Sequence, residues 1–348
     1  MDMNDFGERK KRILEVVIQH YVRTARPAAS RMIVRDYDFP FSSATIRNVL
    51  AELEKEGYLT HPYTSAGRVP TDKGYRFYVD RLMELRELTQ EEERQIEKEY
   101  QAEKKSLEEI MRKTSKMLSL VSHHAGFVTA PTLHKSFLKH IELVPVGDKS
   151  ILAVLVTRAG LVKEKTIHLD YTLKRSHLYK ISKLLSEKLS GLRLSEVKEE
   201  MNRIIEQESN KYIDLVQTAK SLMGQVFAPE ETEIYLDGSA NILASVKEDS
   251  DDYPELRAIF RVIEEKKIII DIVRRLIRSG GVRVLIGREN IYPEMSGFSV
   301  VSSTYKSGNR AAGALGIIGP KRMEYPKMVA LVDFVAKVVN NILNAEGG

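Results

Sequence analysis

The sequence predicts an α+β protein of several domains, and three observations carry that expectation. At 348 residues the chain has room for two or three domains of about 100 to 200 residues each. Its first eighty residues place apolar side chains at helical spacing and then turn into a short β-type hairpin. Further along, strand-like runs stand on either side of a block that is helical throughout. With 43% apolar and 30% charged residues, the chain can bury cores and keep a hydrated surface, which fits neither a disordered tail nor a membrane protein.

From Phe6 to about Ala25, Ile13, Leu14, Val17, Ile18, Tyr21 and Val22 share one helical face, and Pro27 stops the run. Ser30 to Tyr37 reads as a second helix with Ser30 as its N-cap. It breaks at Asp38-Phe39-Pro40, because a proline pushes the preceding residue out of the helical region. Ser42 is the next N-cap. After it, Ile46, Val49, Leu50 and Leu53 mark the buried face of a third helix, which Gly57 closes in the left-handed conformation. Tyr58 to Tyr63 is β-type, Thr64-Ser65-Ala66-Gly67 is turn chemistry, and Arg68-Val69-Pro70 is the returning limb of a hairpin. Thr71 caps a further helix with Tyr75, Tyr78, Val79 and Leu82 on one face, and the first domain, 1–80, ends there.

Glu84 to Lys113 is dominated by Glu, Lys and Arg and reads as a solvated helical connector. Ile141 to Val144, Ile151 to Val156 and Leu161 to Leu169, with turns at Gly147-Asp148 and Ala159-Gly160, predict an antiparallel meander. Leu173 to Phe227 is helical, with breaks at Ser190-Gly191 and near Gln207-Ser209. A helix around Ile268 to Ile277 precedes strands at Val282 to Ile286, Phe298 to Tyr305 and Ala314 to Ile318, and Tyr325 to Leu343 closes the chain as a helix. This order predicts one α/β domain, 81–170 and 251–348, interrupted by an inserted, mainly helical domain at 171–250.

The chain has no cysteine, which excludes disulfides, thiolate nucleophiles and Cys-based zinc sites. The acidic start Met1-Asp2-Met3-Asn4-Asp5 and the lack of a long apolar run predict a cytoplasmic protein, neither exported nor membrane-spanning. His123 and His124, with His134 and His140 downstream, do not predict a metal site, since adjacent residues cannot share one helical face. Gly313, Gly316 and Gly319 lack the spacing and the lysine-serine pair of a phosphate loop, and read as strand and turn glycines. No nucleophile-base pair has supporting context, so neither an enzyme nor a cofactor is expected.

Lys and Arg outnumber Asp and Glu by 54 to 49, and within residues 1–80 by 13 to 11, so any basic footprint must be local. Helix, helix, turn, helix and hairpin make the layout of a winged helix-turn-helix, which sets its third helix in the DNA major groove and its wing on the backbone. Ser42, Ser43, Thr45, Arg47 and Asn48 occupy the outer face of that third helix. Arg47 suits guanine and Asn48 adenine, while the hydroxyls suit phosphates. Around Gly67 the wing offers His61, Tyr63, Thr64, Ser65 and Arg68 without an acid in the loop, and Lys73 and Arg76 join the candidate set from the helix that follows.

The stretch Ser43-Ala44-Thr45-Ile46-Arg47-Asn48, then Leu53-Glu54, Gly57-Tyr58-Leu59, and His61 through to Arg76 closely resembles the bacterial heat-inducible transcription repressor family HrcA. Ile286-Gly287-Arg288-Glu289-Asn290 and Gly316 through to Tyr325 resemble that family's C-terminal signature, so the likeness spans essentially the whole chain. The resemblance implies a winged helix, a GAF-like α/β domain and a dimerisation domain inserted into it. It also implies a homodimer on double-stranded DNA at an inverted-repeat operator upstream of chaperone operons. A chaperonin would keep the repressor active until heat-damaged proteins occupy it. Three departures stand out: Val49 where the family usually has an acid, Phe298-Ser299 where Cys-Ser is frequent, and Pro27-Ala28-Ala29-Ser30 in place of a glycine-containing turn. A small-molecule-responsive regulator, with the GAF-like domain as its sensor, is the competing expectation, and an enzyme carrying a DNA-binding module is a third.

Overall fold

The computed structural model of the chain describes residues 7–37, 39–63, 66–100, 106–131, 136–158, 162–207, 213–226, 233–241, 261, 265–277, 280–307 and 310–345. Helices α1 (Glu8–Thr24), α2 (Ser30–Tyr37) and α3 (Ser43–Lys55) form where the periodicity places them. Ile13, Leu14, Val17 and Ile18 of α1 share one core with Ile33 of α2 and Ile46, Leu50 and Leu53 of α3. Each such side chain contributes about 1.5–3 kcal/mol by leaving water. Ser42 caps α3, its Oγ accepting from the Thr45 N–H at 3.2 Å. Gly57, at φ +79°, ends the helix: the Tyr58 N–H donates to the Leu53 carbonyl and the Gly57 N–H to that of Glu54.

Ser30 departs from expectation. It is the first helical residue of α2, and its hydroxyl lies 3.1 Å from that of Ser43, tying α2 to α3. The Ala29 carbonyl takes the first helical hydrogen bond, from Ile33, so the cap position moves back by one residue. Strands β1 (Leu59–Thr60) and β2 (Val69–Pro70) pair antiparallel, and Arg68 exchanges two backbone hydrogen bonds of 2.9 Å with Ala28. At Gly67 a Cβ would strike the backbone of Pro27 and Ala28, so the hairpin closes onto the α1–α2 loop only because this residue has no side chain. Thr71 caps α4 (Asp72–Phe77), which runs on as a π-helical turn over Tyr78–Leu82.

Helices α5 (Gln90–Tyr100) and α6 (Leu107–Ser122) lead into the body of the protein. The expected solvated connector describes α5 but not α6. Ile110, Met111 and Leu118 are buried, because their helical spacing outweighs the charges between them. Strands β3 (Ala125–Thr129), β7 (Ile234–Asp237), β8 (Val282–Ile286), β9 (Phe298–Ser307) and β10 (Arg310–Pro320) form one antiparallel sheet in the order β7-β3-β10-β9-β8. Gly313, Gly316 and Gly319 lie within β10. Leu118 of α6 and Leu331 and Val335 of the closing helix α11 (Tyr325–Ala345) pack with Val128, Val301 and Ile317 on one face of the sheet. Ile269 and Val273 of α10 (Lys266–Ile277) pack with Phe127, Val300 and Ile318 on the other.

The meander is not part of this sheet, contrary to the expected boundaries. Strands β4 (Leu138–Gly147), β5 (Ser150–Thr157) and β6 (Val162–His168) make a sheet of their own. Its inner face, including Ile141, Leu143, Ile151, Leu155 and Ile167, forms a separate core with helices α7 (Arg175–Leu189), α8 (Val197–Gln207) and α9 (Ile213–Val226). The chain leaves the larger sheet after β3 and returns at β7, the strand beside it: Thr129 pairs with Ile234, and the Ala130 N–H donates to the Glu233 carbonyl at 2.8 Å. The insertion is therefore the loop of a β-hairpin, and it takes in the meander that the sequence assigned to the α/β domain. The alternation of a meander identifies its buried face but not the partner that buries it, and the two short stem strands carried too little pattern to mark the boundary. Along the edge of β4 two hydroxyls of α7 and that of Ser190, its C-cap, replace a neighbouring strand. Ser182 accepts from the Leu143 N–H at 2.9 Å, while Ser186 and Ser190 donate to the Ile141 and Lys139 carbonyls at 2.9 and 3.1 Å. Four residues of helix rise about 6 Å and two of strand about 6.8 Å, so the two repeats stay in step along the edge.

His123 ends α6 exposed, at φ 58°, whereas His124 turns inward against Gly319 with its Nδ1 buried and unpartnered. Burial, reinforced by the charges of His123, Arg322 and Lys327, lowers the His124 pKa to about 4. The folded state holds the ring neutral while the unfolded chain takes up a proton below about 6.5. Its contribution to stability is thus present above that pH and lost as pH falls towards 4. The thermal midpoint is expected to drop across this window more steeply in the unmodified protein than in His124→Gln. Parallel pH profiles of thermal unfolding, followed by circular dichroism, check this, and identical slopes would refute it.

Candidate nucleic-acid interface

Helix α3 presents one exposed stripe made of Ala44, Arg47, Asn48, Ala51 and Lys55. Arg47 and Asn48 have no hydrogen-bond or ion-pair partner among the described residues, so their polar groups are free for a ligand. The alanines flanking them keep the stripe low, which lets a helix approach a groove floor. Sequence reasoning missed Ala44, Ala51 and Lys55 because it weighed donors alone, although their helical spacing to Arg47 and Asn48 was visible. Ser42 and Thr45 are occupied with each other, their hydroxyls 3.0 Å apart, and Ser43 faces Ser30.

In the hairpin, Tyr63 is 64% exposed, whereas Thr64 and Ser65 lie outside the described residues. The wing is acid-free along its loop but not in space. Glu54 reaches across from the last turn of α3 to His61 Nδ1 at 2.5 Å and to an Arg68 terminal nitrogen at 2.7 Å. Burial would raise the Glu54 pKa; the contacts with His61 and Arg68 outweigh it and hold the carboxyl below its ordinary value. Lys73 is also engaged. Its ammonium donates to the Glu56 carbonyl at the end of α3, at 2.7 Å, and lies 4.2 Å from the centre of the Tyr58 ring.

Arg76 stands apart from the other candidates. Its Nε donates to Glu289 at 2.8 Å and a terminal nitrogen to the Val284 carbonyl at 2.6 Å, with Asp80 at 3.1 Å on the other nitrogen. Asp72, one turn earlier, accepts from the Arg288 N–H at 3.0 Å and from Lys321 at 2.8 Å. Gly287 sits so close, at φ +52°, that a Cβ there would overlap the Asp72 carboxylate. The structure thus assigns Arg76 to a clasp between α4 and the body. The motifs from the two ends of the chain, Thr71 to Arg76 on one side and Ile286 to Asn290 with Lys321 on the other, meet there.

The family described as HrcA protein C terminal domain matches residues 108–329. A heat-inducible transcription repressor HrcA from Geobacter sulfurreducens is 38% identical over 347 residues, covering 99% of this chain and 100% of that protein. The repressors of the same name from Syntrophobacter fumaroxidans and Acetivibrio thermocellus are 34% and 36% identical, over 99% and 94% of this chain and 99% and 93% of theirs. The chain belongs to the HrcA family. HrcA proteins are transcription repressors and not enzymes, so the exposed stripe of α3 belongs to a regulator. A crystal structure at 2.2 Å of a hypothetical protein shares the fold, with a TM-score of 0.62 at 21% identity over 98% of this chain and 99% of that one.

The clasp and the stripe should separate cleanly in a measurement without DNA. Arg76→Ala leaves the Glu289 carboxylate, about two-thirds buried, without its main partner, and is expected to cost about 1–3 kcal/mol of stability. Arg47→Ala, on an exposed face, should change stability by less than about 0.5 kcal/mol. Denaturant titration of both variants checks this, and an Arg76 variant as stable as the parent would remove the clasp.

Proposed function

We propose that this chain represses transcription as a homodimer on an inverted-repeat operator, with the N-terminal domain acting as a winged helix that reads one half-site and α3 as its recognition helix. The observation that carries the reading is the unpartnered pair Arg47 and Asn48 on the low, exposed stripe of α3. Such side chains match the base edges of guanine and adenine in the major groove. His61, Tyr63 and Arg68 of the wing, together with the hydroxyls at the start of α3, would lie against phosphates. The GAF-like assignment of the body is supported by its antiparallel sheet with helices on both faces.

The inserted domain is the expected site of dimerisation. The outer face of its sheet carries Val144, Val146 and Val162 exposed, beside the half-buried Leu152, Val154 and Val156 of the central strand. Glu142 and Glu164 flank Val154 on the same face, and an apolar strip set among charges in this way suits a partner surface. Two heads joined in this way raise each other's effective concentration at a palindromic site. A chaperonin would supply the folded repressor, and heat would withdraw that supply. Support for this comes from the family resemblance and from a fold whose inserted core hangs from a single hairpin, while the head depends on the body for its seat.

The primary test is a gel-shift titration of inverted-repeat duplexes. Arg47→Ala is expected to weaken binding by about 1–3 kcal/mol with the oligomeric state unchanged. Undiminished affinity would take α3 out of the recognition role. Excising residues 131–232 and joining β3 to β7 by a short turn should give a monomer that has lost tight operator binding. Excising only the helices 173–227 would strip the meander of its core and is expected to aggregate. Sedimentation of the first variant as a dimer would place the interface elsewhere. After a heat step, DNA binding should recover better with chaperonin than without it, and full spontaneous recovery would remove the chaperonin from the mechanism.

A further inference from the structure

We infer that Glu54 is a positioning residue for recognition: it locks the wing against α3, and so sets discrimination between operator and other DNA more than affinity for DNA as such. The inference rests on the DNA-binding reading of α3 and the wing. Four features of the structure carry it.

The wing is weakly held by its own backbone. Its ladder has two residue pairs, Leu59 with Pro70 and Thr60 with Val69. At the base of the ladder the Thr71 N–H donates to the Tyr58 carbonyl at 3.0 Å, and at its far end the next pair, His61 with Arg68, has no backbone bond across it, because the N–H and C=O of Arg68 point to the other side of the strand and bond to Ala28. The two limbs thus lack a backbone rung at this level. Glu54 supplies one through side chains, gripping His61 on one limb and Arg68 on the other with its two carboxylate oxygens. Pro62 and Tyr63 continue beyond this rung on one limb and Gly67 on the other.

The position of Glu54 is otherwise unfavourable. A carboxylate in the last turn of a helix opposes the helix dipole, and one beside a DNA-facing surface repels phosphate. Its charge is offset here by Arg68, its other oxygen is bonded to His61 Nδ1, and its side chain is 26% exposed. The grip also limits the rotamers of Arg68, whose Nε is buried and whose remaining terminal nitrogen has only the Ala66 carbonyl, at 3.5 Å. That second nitrogen is the donor left for a phosphate, and Glu54 ties its side chain to the helix that carries Arg47. Pre-organisation of this kind sharpens selectivity, because a wing in the wrong place cannot contact the backbone while α3 reads bases.

The test uses the full chain and a duplex selected by the unmodified protein from a randomised pool, with a scrambled duplex of equal length as control. In Glu54→Gln the ratio of selected to scrambled affinity is expected to fall about tenfold, the scale of a lost charge-assisted contact. Affinity for the scrambled duplex should hold or rise, since a negative charge has left the surface. Tryptic cleavage after Arg68 in the absence of DNA should become faster, which reads the wing directly. In an Arg68→Gln background the further change to Gln at position 54 should alter the ratio by less than about threefold, because the grip is already broken. An unchanged ratio, an equal loss on both duplexes, or fully additive effects would overturn the role of Glu54. Failure of the unmodified chain to select any duplex would instead overturn the DNA-binding reading on which it rests.

Discussion

Tyr75, on the helix that follows the wing, is buried to within 1% of its surface and packs against Tyr325 with ring centres 5.9 Å apart. Tyr325 is itself fully buried, its hydroxyl shared between Ser299 and the Lys321 carbonyl. Around this apolar contact, Asp72 and Arg76 bond to the segment from Val284 to Glu289 and to Lys321. The small helical head would bury little surface alone, and one continuous core runs from α1 through α4 into α6 and α11. The orientation of α3 relative to the body is consequently a matter of packing rather than of a linker. Anything that loosens the strands around residue 284 or the start of α11 also removes the floor on which the head stands.

The joint explains how the basic residues are shared out. Several cations that sequence composition would offer to DNA are held within the protein: Arg76 by Glu289, Lys73 by the end of α3, and Arg68 in part by Glu54. Among the described residues, Arg47 and Lys55 on the outer stripe of α3 are held by no such partner. A modest net charge of +5 does not speak against DNA binding, because a small local set of exposed donors can serve where the global field is weak. Arginines that organise the fold and arginines that face outward look alike in composition and differ only in their neighbours.

The inserted domain attaches by a different logic. Its entry and exit are adjacent strands of one sheet, so it can grow or move without breaking that sheet's hydrogen bonds, as insertions at hairpin loops generally can. Its core is separate from both others, and the serine hydroxyls of α7 close the edge of β4 that would otherwise invite strand pairing. The outer face of its sheet carries the exposed Val144, Val146 and Val162 together with Glu142 and Glu164.

Local elements were legible in the sequence because their signals are local. The caps at Ser42 and Thr71, the stop at Gly57, and the faces of α1 and α3 each depend on residues within one or two turns. That Arg47 and Asn48 would be exposed could be read for the same reason, since helical spacing alone puts them opposite Ile46, Val49 and Leu50. The partners of Arg76 and of the meander were not legible. Arg76 meets a carboxylate 213 residues away, and the alternation of β4 to β6 is the same whichever helices cover it. Glu54 illustrates the boundary most plainly: a count along the wing finds no acid, while the fold brings one from the preceding helix to its base. Periodicity encodes which face of an element is buried; which element buries it, and which charges then meet, follows from long-range packing that no window of sequence contains.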